Sequence, residues 1–370
     1  MSKTTFVLTL TLLTLASMAF AQEQRDLTWG TAKAPCMAGK TVTPSLAHLG
    51  TIAPATARLP GIESDAVTGS SLVFANSQIA AGGAGLRNRT RAFIQVTGFL
   101  GPKGPMVANA AVMYWAIITT GPAPSQYYTV KLTNLQSKLT ASLTGTVVGT
   151  GPSPCWPGDT ITVFRVLVPT GASGPLGNLT AGDYEVNVPP GQPTSITTPW
   201  TGTPSAPEWE GVSLILIAPG NGPSDPFHNA TVVIYDTGIA GNTFGGAFGD
   251  TESYTLVLPA NTAGSGTFTN IGADGQVGVS TSAAFPQIAA EQSFLNTTQV
   301  AGFPRIPGSA PDGLDPDSDW NGTIAGPLPQ LWDTTTHTFG PFGSSPSLDV
   351  TFTNVKDDCV TQVANVVLIF

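Results

Sequence analysis

From Ala92 to the C-terminus, short runs of β-branched, aromatic and aliphatic residues alternate with clusters of Gly, Pro, Asn and Asp. A period of two, or an unbroken apolar run bounded by turn residues, points to strands rather than helices. The spacing predicts strands at Ala92–Thr97, Ala108–Thr119, Tyr127–Leu132, Leu139–Val148, Thr160–Val168 and Asp183–Val188. Further strands are predicted at Val212–Ile217, Ala230–Tyr235, Tyr254–Leu258, Gly266–Ile271, Leu348–Phe352 and Val363–Ile369. Ala108–Thr119 and Leu214–Ile217 alternate little and read as strands covered on both faces. One or two helical turns are expected at Ile288–Leu295, where Ala, Glu and Gln gather. Turn punctuation at Gly121-Pro122, Pro157-Gly158, Asn221-Gly222 and Asp274-Gly275 separates the runs. The pattern predicts an all-β protein, a mainly antiparallel two-sheet sandwich or jelly roll with long Gly/Pro-rich loops and little helix.

The N-terminus breaks this pattern. Lys3 precedes an apolar run from Phe6 to Phe20 that closes on Ala19-Phe20-Ala21, the form of a secretory signal peptide over residues 1–21. Export, to the extracellular space, cell surface or periplasm, is therefore expected. The apolar core of the signal is shorter than the roughly 20 residues that span a bilayer, and the run Val363–Phe370 is shorter still, so no transmembrane anchor is expected. Residues 22–86 are rich in Ala, Pro and Gly and read as a loosely structured arm carrying one or two edge strands, with an apolar run at Ser71–Ala75. Residues 87–370 carry the strand pattern, and Pro199 and Pro204–Pro207 mark either a domain linker or a long loop within one domain.

Composition sharpens the class. With 42 Gly and 32 Pro in 370 residues, few windows could hold a long helix. The formal net charge is −9, from 14 Lys and Arg against 23 Asp and Glu. Such a chain lacks the clustered cations that neutralise phosphates, so nucleic acid and anionic membranes are poor partners.

The sharpest chemical feature is Asp312, Asp315, Asp317 and Asp319, alternate carboxylates of the kind that converge on Ca²⁺. Counted from Asp315, the place where an EF-type loop turns on glycine holds Trp320, and that of its bidentate glutamate holds Gly326. The expectation is a solvated acidic loop with weak or absent calcium binding, and no other cofactor. Glu208 and Glu210 flank Trp209; on a regular strand they share one face about 7 Å apart, an arrangement common in β proteins without catalytic meaning. His48, His228 and His337 lie on separate segments with no metal-ligand spacing, and no nucleophile elbow occurs. Cys36, Cys155 and Cys359 are too few for a disulfide scaffold; in an oxidising compartment one bridge, Cys155–Cys359, is favoured. Trp115 lies inside an apolar run and reads as core, whereas Trp156, Trp200, Trp209, Trp320 and Trp332 fall near predicted loops and are candidate stacking platforms for sugars. Asn-x-Ser/Thr sequons begin at Asn88, Asn178, Asn229, Asn296 and Asn321.

Several pieces in order carry a resemblance. They are Ala111-Val112-Met113-Tyr114-Trp115, Phe164-Arg165-Val166, Gly182-Asp183-Tyr184-Glu185-Val186, Trp209 through Ile217 and Val233-Ile234-Tyr235-Asp236-Thr237-Gly238. Asp274-Gly275-Gln276, Leu331-Trp332-Asp333 and Asp358-Cys359 follow. In this order they resemble an uncharacterised β-rich domain of secreted and cell-surface proteins of bacteria and archaea. The resemblance implies export, architecture and one large β-sandwich domain over residues 87–370 that continues across the Pro-rich segment near Pro204, and it supplies no catalytic residues. The expected role is a non-enzymatic binding or structural module, an adhesion-type protein contacting glycans or envelope proteins. The alternatives are a secreted carbohydrate-active hydrolase with paired carboxylates and a self-assembling surface or fibre component.

Overall fold

The computed structural model describes residues 29–31, 56–57, 71–86, 89–96, 106–153, 158–190, 206–219, 230–236, 243–244, 251–258, 265–273, 291–301, 332–341, 347–354 and 360–369. In chain order the strands are β1 (Trp29–Thr31), β2 (Thr56–Ala57), β3 (Ser71–Ala75), β4 (Ser77–Gly85), β5 (Arg91–Val96), β6 (Ala110–Thr119) and β7 (Thr129–Asn134). Next come β8 (Leu139–Thr144), β9 (Thr146–Pro152), β10 (Thr160–Leu167), β11 (Gly182–Asn187), β12 (Glu208–Pro219), β13 (Thr231–Asp236) and β14 (Thr243–Phe244). The last are β15 (Thr251–Val257), β16 (Gly266–Ala273), β17 (Glu291–Leu295), β18 (Thr298–Ala301), β19 (Trp332–Phe339), β20 (Ser347–Asn354) and β21 (Val360–Ile369). A single 3₁₀ turn, Ser125–Tyr128, is the only helical element among the described residues.

The expected all-β, antiparallel sandwich architecture is present, with four sheets rather than two. Sheet I has the order β5-β11-β7-β8, and sheet II the order β1-β4-β12-β6-β10-β9. Sheet III has the order β19-β16-β21-β13-β3 with β14 on β21, and sheet IV the order β18-β17-β20-β15-β2. Three apolar clusters fix the stacking. One face of sheet II, with Met113, Trp115, Leu214 and Leu216, packs on Ile94, Leu132, Leu143 and Tyr184 of sheet I. Its other face, with Val112, Tyr114, Ile215 and Ile217, packs on Val232, Ile234, Val366 and Leu368 of sheet III. The opposite face of sheet III, with Val233, Phe268 and Val367, packs on Leu256, Val350 and Phe352 of sheet IV. The layers therefore run I, II, III, IV, two sandwiches back to back. Strands at the centre of an inner sheet lose both faces to protein, which is why β6 and β12 are apolar at successive positions instead of alternating.

β4 is packed tightly on both faces. Its sequence, Ser77-Gln78-Ile79-Ala80-Ala81-Gly82-Gly83-Ala84-Gly85, is buried at every position. A methyl group on Gly82 would overlap the Gln95 carbonyl of β5 in sheet I, and one on Gly83 would overlap the Thr334 hydroxyl of β19 in sheet III. Adjacent residues of a strand face opposite ways, so this glycine pair lets two sheets approach one strand from both sides. Residues 77–85 are thus an internal strand and not part of a loose arm. β3 does lie at an edge of sheet III, pairing antiparallel with β13 (Ala75 opposite Thr231). The chain leaves β3 through Asn76, whose φ of 50° turns it into sheet II, and Ser77 N–H bonds the Ala230 carbonyl at 3.1 Å.

Two further expectations are corrected. The described part of Ile288–Leu295 is strand β17, because pairing with β20 outweighs the helical preference of a short Glu/Gln stretch. The run Leu139–Val148 is two strands: at Gly145, which lies against the Trp115 indole, the chain passes from sheet I to sheet II.

Candidate functional site

The II–III and III–IV interfaces carry buried polar side chains that bond across or along the sheets. Between sheets II and III, Asp236 at the end of β13 accepts a 2.5 Å bond from the Tyr114 hydroxyl of β6 and pairs with the Arg165 guanidinium of β10. Tyr114 and Arg165 are cross-strand partners on one face of sheet II, so a single carboxylate from sheet III clamps both. Burial, and then the negative charge of Asp236, holds the Tyr114 phenol well above its ordinary pKa, with Arg165 opposing the effect. The hydroxyl therefore stays protonated and donates. Toward the β19 side, Trp332 Nε1–H donates to Ser213 Oγ at 2.9 Å, and Ser213 and Thr334 hydroxyls lie 2.6 Å apart. Between sheets III and IV, Tyr254 donates to Asn365 Oδ1 at 2.6 Å, and Asn365 and Gln362 both donate to Asn270 Oδ1. These groups sit too deep to meet a ligand.

The open face of sheet IV is different. Alternation sends Leu348, Val350 and Phe352 of β20 inward, leaving Asp349 and Thr351 to solvent beside Ser253 and Thr255 of β15 and Phe294 of β17. Together with Thr297 they line a groove of about 560 Å³. Its walls are fixed by their own bonds. Thr255 donates to Asp349 Oδ1 at 2.7 Å, the Ser253 and Thr351 hydroxyls meet at 2.8 Å, and Asn296 Oδ1 accepts from Asp349 N–H at 2.9 Å. At the rim, Asn296 and Thr297 form the two-residue turn of the β17–β18 hairpin with φ of 47° and 71°. Positive φ at both central residues matches the twist of the flanking strands. The groove therefore combines hydroxyls, an exposed carboxylate and a half-buried aromatic ring on a rigid surface.

Sequence reasoning had singled out neither Phe294 nor Asp349. The period of two in Ser347–Asn354 was visible, but the neighbours that turn its outer face into a groove come from strands far away in sequence. Of the candidate platforms, Trp209 and Trp332 are core residues, 2% and 1% exposed, and are not available for stacking. Trp209 packs edge-to-face on Tyr127 and donates to the Pro189 carbonyl. Trp332 packs against Gly211, where a methyl group would meet its ring. Trp156, Trp200, Trp320, the four aspartates from Asp312 to Asp319, and Cys36, Cys155 and Cys359 lie outside the described residues. Glu208 and Glu210 are buried, and a register shift between Trp209 and Gly211 breaks the regular alternation that would have set them on one face. Among the described residues no group of three or more His, Cys, Asp or Glu is arranged to hold a metal ion. No helix there is long and apolar enough to cross a membrane.

No family model and no curated protein matches the chain. Solved structures give distant likenesses. PNGase F, a glycosylasparaginase from Flavobacterium meningosepticum, aligns at 11% identity and a TM-score of 0.24 over 80% of this chain and 96% of that one. The ANXUR2 extracellular domain from Arabidopsis thaliana aligns at 9% identity and 0.23 over 90% of each. A glycoside hydrolase family 86 β-porphyranase from Bacteroides plebeius aligns at 10% and 0.21 over 80% of this chain and 36% of that one. Likenesses this remote say nothing of what the chain does.

Proposed function

We propose that this protein is a secreted or surface-associated binding module without catalytic activity, and that the groove on sheet IV holds a glycan. The observation that carries the reading is the pairing of the Phe294 ring with the Asp349 carboxylate and the hydroxyls of Ser253, Thr255, Thr297 and Thr351 on one outward-facing surface. A sugar ring has an apolar C–H face that packs on an aromatic side chain and a rim of hydroxyls that exchange hydrogen bonds with carboxylates, Ser and Thr. The groove volume lies within the range of about 300–1,000 Å³ usual for small-ligand sites. A glycosidase needs two carboxylates flanking one scissile bond. Among the described residues that line this groove, Asp349 is the one carboxylate.

Glycan-array screening of the chain tests the reading. Binding to a defined glycan class is expected, weakened at least about tenfold by Phe294→Ala or Asp349→Asn while the melting temperature moves little. Absence of binding to any glycan, or binding that neither substitution weakens, would overturn it.

A further inference from the structure

We infer that the free edge of sheet I is a pairing surface for a second copy of this chain, with two β8 strands joining antiparallel about a two-fold axis at Ser142. β8 is the last strand of sheet I and β9 the last of sheet II, so residues 139–152 form a continuous edge with no strand partner on its outer side among the described residues. Sheet edges are ordinarily guarded by charges, proline or bulges. Residues 139–151 contain no Asp, Glu, Lys, Arg, His or Pro, and the one register shift along them falls at Val148 on β9, leaving β8 regular. Leu139 and Val147, on this same edge, are 44% and 41% exposed.

The hydrogen-bond phase shows which backbone groups are available. Gly145 N–H bonds the Tyr128 carbonyl, so residues 128 and 145 form a hydrogen-bonded pair. Bonded and non-bonded pairs alternate along an antiparallel ladder. Residues 143, 141 and 139 therefore turn their amides toward β7, and Thr140, Ser142 and Thr144 turn theirs outward. These outward positions read Thr-x-Ser-x-Thr in either direction. A two-fold through Ser142 sets Ser142 against its own copy and Thr140 against Thr144 twice, forming about six inter-chain hydrogen bonds. Ala141 and Leu143, which face the core between sheets I and II, would meet across the same axis and carry that core into the partner.

Charge does not oppose a like partner at this strip. Lys131, the residue of β7 opposite Ser142, would stand three strand spacings from its copy, about 14 Å and beyond the screening length at physiological salt. The two-fold stands perpendicular to the joined sheet, so layers II to IV of both copies would lie on one side of it and the two sheet IV faces would point the same way.

Sedimentation velocity on the full chain across a concentration series tests the inference. A reversible dimer is expected. Ser142→Lys, which sets two ammonium groups opposite each other across the axis, should leave a monomer at concentrations where the parent is dimeric, with the circular dichroism spectrum unchanged. Ser142→Cys should cross-link into a disulfide dimer under mild oxidation, because hydrogen-bonded partners lie about 5.5 Å apart at Cα. Lys131→Cys should give no more cross-link than the parent chain in the same oxidant. A parent that stays monomeric throughout, a dimer that survives Ser142→Lys, or open-ended polymers in place of a dimer would each overturn the inference.

Discussion

Removing the carboxylate of Asp236 should weaken the joint between the two sandwiches more than any other single polar change among the described residues. Asp236 is 1% exposed at its side chain and Arg165 17%, so the pair is shielded but one partner keeps some contact with water. Deleting one member of a buried pair costs about 3–5 kcal/mol, and partial hydration of Arg165 argues for about 3. The Tyr114 hydroxyl also loses its acceptor, which adds about 1 kcal/mol, so Asp236→Ala should cost about 4 kcal/mol. Tyr114→Phe should cost about 1.5 kcal/mol, since it removes one bond to a charged group and strands no charge. Arg165→Met should cost about 3 kcal/mol by leaving Asp236 without its cation. The decisive quantity is the coupling. Urea unfolding of Arg165→Met, Asp236→Leu and the double variant should give a double-variant loss smaller than the sum of the singles by about 2 kcal/mol or more. Losses that add within about 0.5 kcal/mol would show that the two side chains act independently and would refute the clamp.

Two other expectations follow from the same stack. Gly82→Ala and Gly83→Ala should each destabilise by about 2 kcal/mol or more, the former most, because its obstacle is a backbone carbonyl; thermal melts that move by less than about 1 °C would contradict the close approach on β4. Stability should also fall in alkali. Burial pushes the Tyr184 phenol up to about 12, against about 10 in an unfolded chain. The folded state then keeps its proton where the unfolded state loses it, so this contribution is whole below about pH 10 and declines by about 1.4 kcal/mol per pH unit as pH rises toward 12. Unfolding curves between about pH 9 and about pH 11 that do not shift, or a slope unchanged in Tyr184→Phe, would count against it.

What was legible in the chain depended on side-chain type. Strands built from Val, Ile, Leu and aromatics, such as β6, β10 and β12, could be read because their own residues favour a pleated, buried surface. β4 could not, since Ala and Gly have low strand preference and are chosen here for the proximity of two neighbouring sheets. β19, Trp332-Asp333-Thr334-Thr335-Thr336-His337-Thr338-Phe339, looked polar; Thr334 and Thr336 are buried by hydrogen bonds to Ser213 and Thr269 that only the fold supplies. The unbroken apolar runs held more than was drawn from them. A strand in a two-sheet sandwich needs one apolar face, whereas β6 and β12 need two, and that already implies at least three layers. The groove was least legible, because its residues come from β15, β17 and β20 and none is unusual alone.

Ala75 and Thr231 are neighbours across one antiparallel ladder, yet every described strand between them in the chain belongs to sheet I or sheet II. The front sandwich is spliced into what would otherwise be a simple hairpin of the rear one, entering and leaving through adjacent positions. Such a layout makes the front unit a cassette: its two ends meet at one doorway, so it could be exchanged for another module, or gained by an ancestor, without re-threading the strands behind it. The face of sheet III that it covers is apolar, so any replacement would have to bring a matching cover.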